Sequence, residues 1–175
     1  IAELRNLIPD TPFLALTATA TPRVVGDIMD KLQFSKQNVF QKSFERKNIT
    51  YRVDHVEDKA RRLLNYFQDT KGSGIIYVRN RKKTREISDL LSSNDISADY
   101  YHAGLSYELR NLKQDNWQKG KTRIIVSTNA FGMGIDKPDV RLVVHFDLPD
   151  SPEAYFQEAG RAGRDEKPAI AVLLY

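Results

Sequence analysis

Thr122-Arg123-Ile124-Ile125-Val126-Ser127 runs directly into Thr128-Asn129-Ala130-Phe131-Gly132-Met133-Gly134-Ile135-Asp136-Lys137-Pro138. The first part is a short apolar run of strand length, and the second is too rich in glycine for a regular helix and longer than a structural turn requires. Comparable apolar runs occupy residues 51–56, 74–78, 98–101, 142–146 and 169–174. Amphipathic stretches separate them. Leu63, Leu64 and Phe67 share one helical face, as do Ile87, Leu90 and Leu91, and then Leu109 and Leu112 with Trp117 close behind. Ser151 followed by Pro152 supplies a hydroxyl cap and a first-turn proline, which opens a helix toward Gly160. Short strands alternating with amphipathic helices give an α/β fold, a doubly wound parallel sheet with helices on both faces.

Residues 1–40 read differently. They hold one apolar run, residues 13–16, expected as a strand, and one helix opened by Thr21 and Pro22 and carrying Val25, Ile28, Met29 and Leu32. One strand and one helix cannot build a core, so these residues are expected to be the tail of a preceding domain. A linker near residues 35–48 leads to the main domain, residues 41–175.

Composition narrows the classes. The 175 residues are 41% hydrophobic and 29% charged, enough for one globular domain and part of another. There is no cysteine, hence no disulfide and no thiolate for zinc or nucleophilic catalysis. No apolar run approaches the ~18 residues that would suggest a membrane span. His55, His102 and His145 lack metal-ligand spacing, and no metal site is expected. The formal charge of +4 and the pI of about 9.2 suit a phosphate-bearing partner without requiring one. Arg79, Arg81, Lys82, Lys83 and Arg85 form the one dense basic cluster, either a phosphate-contacting loop or a solvated helix start.

Ligands of open parallel sheets bind at the carboxyl ends of the strands. After the strand at 122–127, Thr128 and Asn129 offer a hydroxyl and an amide for phosphate oxygens, and Asp136 could accept from ribose hydroxyls. A hairpin-like connection with a capping aspartate fits the same residues. Gln157-Glu158-Ala159-Gly160-Arg161-Ala162-Gly163-Arg164-Asp165 places two arginines three apart, as on one helical face, with glycines clearing space for an anion. The bland alternative pairs Arg161 with Asp165 and Arg164 with Glu166 as exposed salt bridges. Asn80 and Arg81 after one strand, and His102 with Gly104 after the next, are weaker signals of phosphate contact.

In this order the segments resemble the motor domains of superfamily-two helicases, and in wording the RecQ family. Leu16-Thr17-Ala18-Thr19-Ala20-Thr21 is similar to the third helicase motif, residues 75–81 to the fourth, Ala130-Phe131-Gly132-Met133-Gly134-Ile135-Asp136-Lys137-Pro138 to the fifth, and residues 157–165 to the sixth. Met133 and Gln157 favour RecQ over DEAD-box relatives, which usually carry arginine and histidine there. Val78 stands where many relatives have cysteine and Glu166 where glycine is common. The resemblance implies RecA-like lobes, with residues 1–40 the tail of the first and residues 41–175 the second. It implies ATP-driven, 3′-to-5′ unwinding of DNA, with single-stranded and partly duplex DNA as partners and a role in repair or recombination. Arg161 and Arg164 would be catalytic, reaching the terminal phosphates. Gly134, Asp136 and Gln157 would join them at the nucleotide. Asn80, Arg81, His102, Thr128 and Asn129 would contact the nucleic acid, and Thr17 and Thr19 would couple the two sites. ATP and Mg2+ are the implied cofactors. The magnesium would be held mainly by the first lobe, since neither a Gly-x-x-x-x-Gly-Lys-Ser/Thr loop nor an Asp-Glu-x-His motif occurs here. The sequence alone is therefore expected not to hydrolyse ATP. A cytoplasmic, nucleoid-associated location is expected for a bacterial source and a nuclear one for a eukaryotic source. An RNA helicase and a non-catalytic nucleic-acid-binding module are the alternatives.

Overall fold

The computed structural model describes residues 2–17, 20–34, 38–41, 43, 45–132 and 135–175. The chain forms two compact units, Ile1–Glu45 and Arg46–Tyr175. In the first, α1 spans Leu4–Leu7 and α2 spans Pro22–Lys31. Thr21 caps α2 by accepting from Val24 N, with Pro22 in the first turn as its sequence anticipates. Val25, Ile28, Met29 and Leu32 are its half-buried face. The expected strand at residues 13–16 is not formed. Leu14 and Leu16 are exposed, because a strand exists only as one side of a ladder and no second strand occurs among the described residues of this unit.

The second unit carries β1 (Ile49–Asp54), α3 (Lys59–Asp69), β2 (Ser73–Tyr77), α4 (Arg81–Ser92), β3 (Ala98–Tyr101), α5 (Tyr107–Gln118), β4 (Ile124–Ser127), β5 (Val140–His145), α6 (Pro152–Ala159) and β6 (Ala169–Leu174). The six strands pair in the order β1-β6-β5-β2-β4-β3, and every pairing is parallel. Parallel neighbours need crossovers, which is what the helices between the strands provide. Side-chain alternation then divides the core. Ile76, Ile124, Val126, Leu142, Val144 and Val172 pack with Leu63 and Phe67 of α3 and with Ile87 and Leu91 of α4. Ile75, Ile125, Val143 and Ala171 pack with Trp117 of α5 and Ala159 of α6 on the other face. Each fully buried Leu, Ile or Phe contributes ~1.5–3 kcal/mol, and Val78 belongs to the first layer as an ordinary packing residue.

Side-chain caps start the helices sharply: Asp58 accepts from Arg61 N, Asn80 from Lys83 N, Ser106 from Leu109 N and Ser151 from Ala154 N. In α5 the expected buried stripe is wrong. Leu109 and Leu112 are exposed and only Trp117 is buried, its indole N–H donating to Gly74 O at 3.2 Å. Five residues at 3.6 per turn put Trp117 about 140° round the helix from Leu112, so both cannot face the sheet.

Candidate nucleotide and nucleic-acid site

The carboxyl ends of β2, β4 and β3 lie side by side and in register, with Tyr77 opposite Ser127 and Ser127 opposite Tyr101. Adjacent strands are about 4.8 Å apart, so the residues that follow form one row: Asn80 and Arg81 after β2, Thr128 and Asn129 after β4, and His102 after β3. Asn80 spends its side-chain oxygen on the α4 cap, at 2.8 Å from Lys83 N. Arg81 stands at the positive end of α4 and fills the space beside Gly104, where a Cβ would come 2.7 Å from its Nη1. Its charge also reaches His102, whose pKa is lowered first by burial and then by Arg81. Thr128 Oγ1 accepts from Ala130 N at 3.5 Å, and Asn129 is exposed. The basic cluster is thus a helix start. Lys82 and Arg85 pair with Glu86 and Asp89 one turn on, Lys83 holds Asp147, and Arg79 donates to Leu148 O.

The loop after β4 is anchored by its aromatic. Phe131 is buried edge-on against Tyr101 and Trp117, at 4.8 and 5.2 Å between ring centres. Tyr77 donates its hydroxyl to Phe131 O at 3.3 Å, and burial holds that hydroxyl protonated well above the usual tyrosine range. Farther along, Lys137 Nζ donates to Gln118 O at 3.2 Å and pairs with Asp139. Between these anchors the loop meets both arginines. Arg161 donates to Gly132 O, and its Cζ stands 2.2 Å from where a Gly132 Cβ would be. Arg164 Nη1 donates to Ile135 O at 3.1 Å and to Asp136 Oδ1 at 2.9 Å. Gly132, Ile135, Arg161 and Arg164 line one narrow crevice with Trp117, Lys137 and Val140.

Several expectations are corrected here. Arg161 and Arg164 do not share a helical face, because α6 ends at Ala159, Gly160 is its cap, and Gly163 turns the chain at φ +55°. Neither proposed salt bridge forms: Asp165 pairs with Arg141, and Arg164 pairs with Asp136. Asp136 is itself largely exposed, and Gln157 is exposed on α6. Glu166 adopts φ +63°, a left-handed conformation that glycine would take without strain. Gly134 and Thr19 lie outside the described residues, and Thr17 occupies the irregular stretch before α2. Among the described residues no three histidine or carboxylate side chains could share a metal, and no helix is long and apolar enough to cross a membrane.

Three residues that shape the site were not singled out for it in the sequence. His145 is fully buried, with Nε2 2.8 Å from Glu158 Oε2, and stacks on Tyr77. Arg46 and Asn48 donate to carbonyls of the turn that carries the two arginines. No spacing signal links positions so far apart in the chain.

Residues 58–166 match the family described as Helicase conserved C-terminal domain. The chain belongs to this helicase family. The RecQ-like DNA helicase blm-1 of Caenorhabditis elegans is 45% identical over 172 residues, covering 95% of this chain and 17% of that protein. The ATP-dependent DNA helicase RecQ of Haemophilus influenzae is 43% identical over 176 residues, covering 100% of this chain and 28% of that protein. The chain therefore spans under a third of these relatives. The solved C-terminal domain of the DEAD-box protein Dbp5 superposes with a TM-score of 0.65 at 26% identity, over 74% of this chain and 77% of that one. S. cerevisiae Dbp5 bound to RNA and ADP BeF3 shares the fold, with a TM-score of 0.82 at 23% identity over 99% of this chain and 48% of that one. The fold is RecA-like, and the sequence is similar to RecQ helicases over nearly its whole length.

Proposed function

We propose that this chain works as the second motor lobe of an ATP-dependent, 3′-to-5′ DNA helicase of RecQ type, active in repair or recombination. One observation carries the reading. The loop after β4 starts in the row of phosphate-seeking groups, at Thr128, and a few residues later accepts from Arg161 and Arg164 through Gly132 and Ile135. Movement at one end is thereby passed to the other through a segment pinned by Phe131.

At the nucleotide, Arg161 and Arg164 fit phosphate: both stay charged at any working pH and both present planar forks. The two arginines suit the phosphates of ATP, and the magnesium is assigned mainly to the first lobe by the resemblance to helicase motors. ATP hydrolysis supplies the driving free energy. Arg164 compensates the charge that develops during phosphoryl transfer, and Arg161 orients the nucleotide and braces the loop. Asp136 holds Arg164 until phosphate competes for it, and is then free for ribose. Arg81, His102, Thr128 and Asn129 grip the backbone of single-stranded DNA, with the Asn80 cap fixing the end of α4 between them. Thr17 and Thr19 relay the nucleotide state.

The reading is tested with Thr128→Ala in the full-length helicase. Single-stranded DNA affinity and DNA-stimulated hydrolysis should fall while nucleotide-analogue affinity holds. Unchanged DNA affinity with lost nucleotide affinity would put the loop on the wrong ligand.

A further inference from the structure

Arg161 and Arg164 sit beyond the end of α6, in a turn outside the sheet. Its backbone is tied to β5 by Gly163 N donating to Val140 O at 2.8 Å and to the preceding loop by Asp165 N donating to Pro138 O at 3.3 Å, yet a charge-compensating arginine must be held to within a fraction of an ångström. The last carbonyls of a helix lack partners within it. Those of this turn are met from a remote segment. Arg46 Nη1 donates to Gly160 O at 3.3 Å, and its Nη2 donates to Ala162 O at 3.2 Å and to Gly163 O at 2.8 Å. Asn48 Nδ2 donates to Gly163 O at 2.7 Å and to Lys167 O at 3.0 Å. The two residues thus bind the backbone on both flanks of Arg161 and directly before Arg164.

The donors stand on a firm base. Ile49 N donates to Arg46 O, Ala169 N donates to Asn48 O, and Ile49 opens the parallel pairing of β1 with β6. We propose that Arg46 and Asn48 are positioning residues for hydrolysis: they fix the turn against the β1–β6 edge so that Arg161 and Arg164 point at the nucleotide phosphates. Both precede residues 58–166, the stretch matched to the helicase family. The charged fork of Arg46 suits the task, since charge-assisted bonds are the stronger kind and one planar group can reach three carbonyls. Lysine keeps the charge and loses the fork. The proposal rests on the assignment of Arg164 to the transferring phosphate.

The experiment is a kinetic cycle in the full-length helicase with Arg46→Lys, Asn48→Ala, Arg164→Ala and the double variants Arg46→Lys/Arg164→Ala and Asn48→Ala/Arg164→Ala. Melting curves select an assay temperature at which every variant is folded. Each clamp variant should lower the kcat of DNA-stimulated ATP hydrolysis about tenfold to a hundredfold, with KM for ATP and single-stranded DNA affinity within about twofold. On the Arg164→Ala background the same changes should cost much less kcat, because the charge-compensating group they position is gone and only Arg161 remains to be held. Folded single variants with full kcat, or losses that multiply in the double variants, would overturn the proposal. If Arg164→Ala itself turned over normally, the assignment beneath it would have failed, which is a separate outcome from an active clamp variant beside an inactive Arg164 variant.

Discussion

Gly163→Ala should destabilise this protein far more than an ordinary glycine substitution, by an amount that its surroundings set. Gly163 has φ +55°, and a Cβ there would meet Asn48 Nδ2 at 2.5 Å, Lys167 O at 2.7 Å and Ala169 Cβ at 3.1 Å. A left-handed alanine costs about 1 kcal/mol. Asn48 must also withdraw from Gly163 O and Lys167 O, two hydrogen bonds worth about 1 kcal/mol each. Lys167 O is backbone just ahead of β6 and cannot yield freely, so the total is about 3–4 kcal/mol. Gly120→Ala is the control: φ is +74°, but nothing lies within 4 Å of the added carbon, so its cost is about 1 kcal/mol. Any gain from a stiffer unfolded chain is common to both and cancels in the difference. At about 3 °C per kcal/mol for a chain of this size, Tm should fall by about 10 °C for Gly163→Ala and about 3 °C for Gly120→Ala. Thermal melting followed by circular dichroism measures both. Equal losses would refute the crowded turn and with it the tight seating of Asn48.

Two further outcomes follow from single residues. Glu166 holds φ +63° without being glycine, so Glu166→Gly should raise Tm or leave it level, the relieved strain of about 1 kcal/mol exceeding the entropy lost; a clear fall in Tm would mean that the glutamate side chain earns its place. Burial first, and Arg81 second, hold the His102 pKa below its ordinary value, so its contribution to stability is complete above about pH 6.5, the unfolded value, and is lost as pH falls through the folded one. Arg81→Ala should move the His102 titration, read by NMR, upward while leaving it below the ordinary range, and no movement would separate the two residues.

Much of this architecture is legible in residue order because short apolar runs between amphipathic stretches have few other uses. Residues 98–101 and 169–174 are strands with the expected limits, and the remaining four begin or end one or two residues away, where pairing and not hydropathy decides. Ser151 and Pro152 announce α6 correctly, since a cap is a local device. The turn beyond it is not local. Spacing alone suggests that Arg161 and Arg164 continue a helix, whereas Gly160, Gly163 and the donors Arg46 and Asn48 make a different structure from the same letters. The exposed Leu109 and Leu112 show the same limit, because an apolar pair marks a face without saying whether anything covers it. Of the site, the strand-end row is recoverable from the rule for parallel sheets. The contact between the loop after β4 and both arginines is tertiary, and only coordinates reveal it.

Arg164 is the residue proposed to compensate the charge of the transferring phosphate. Steady-state hydrolysis measured beside nucleotide-analogue binding, for Arg161→Ala and Arg164→Ala separately in the full-length helicase, isolates its role. A group whose contact strengthens in the transition state lowers kcat when removed and leaves ground-state affinity nearly intact. Arg164→Ala should therefore cut turnover by about a thousandfold or more with analogue and DNA affinity little changed, and Arg164→Lys should rescue poorly. Near-normal turnover in Arg164→Ala would contradict the account and leave the residue as no more than the surface partner of Asp136.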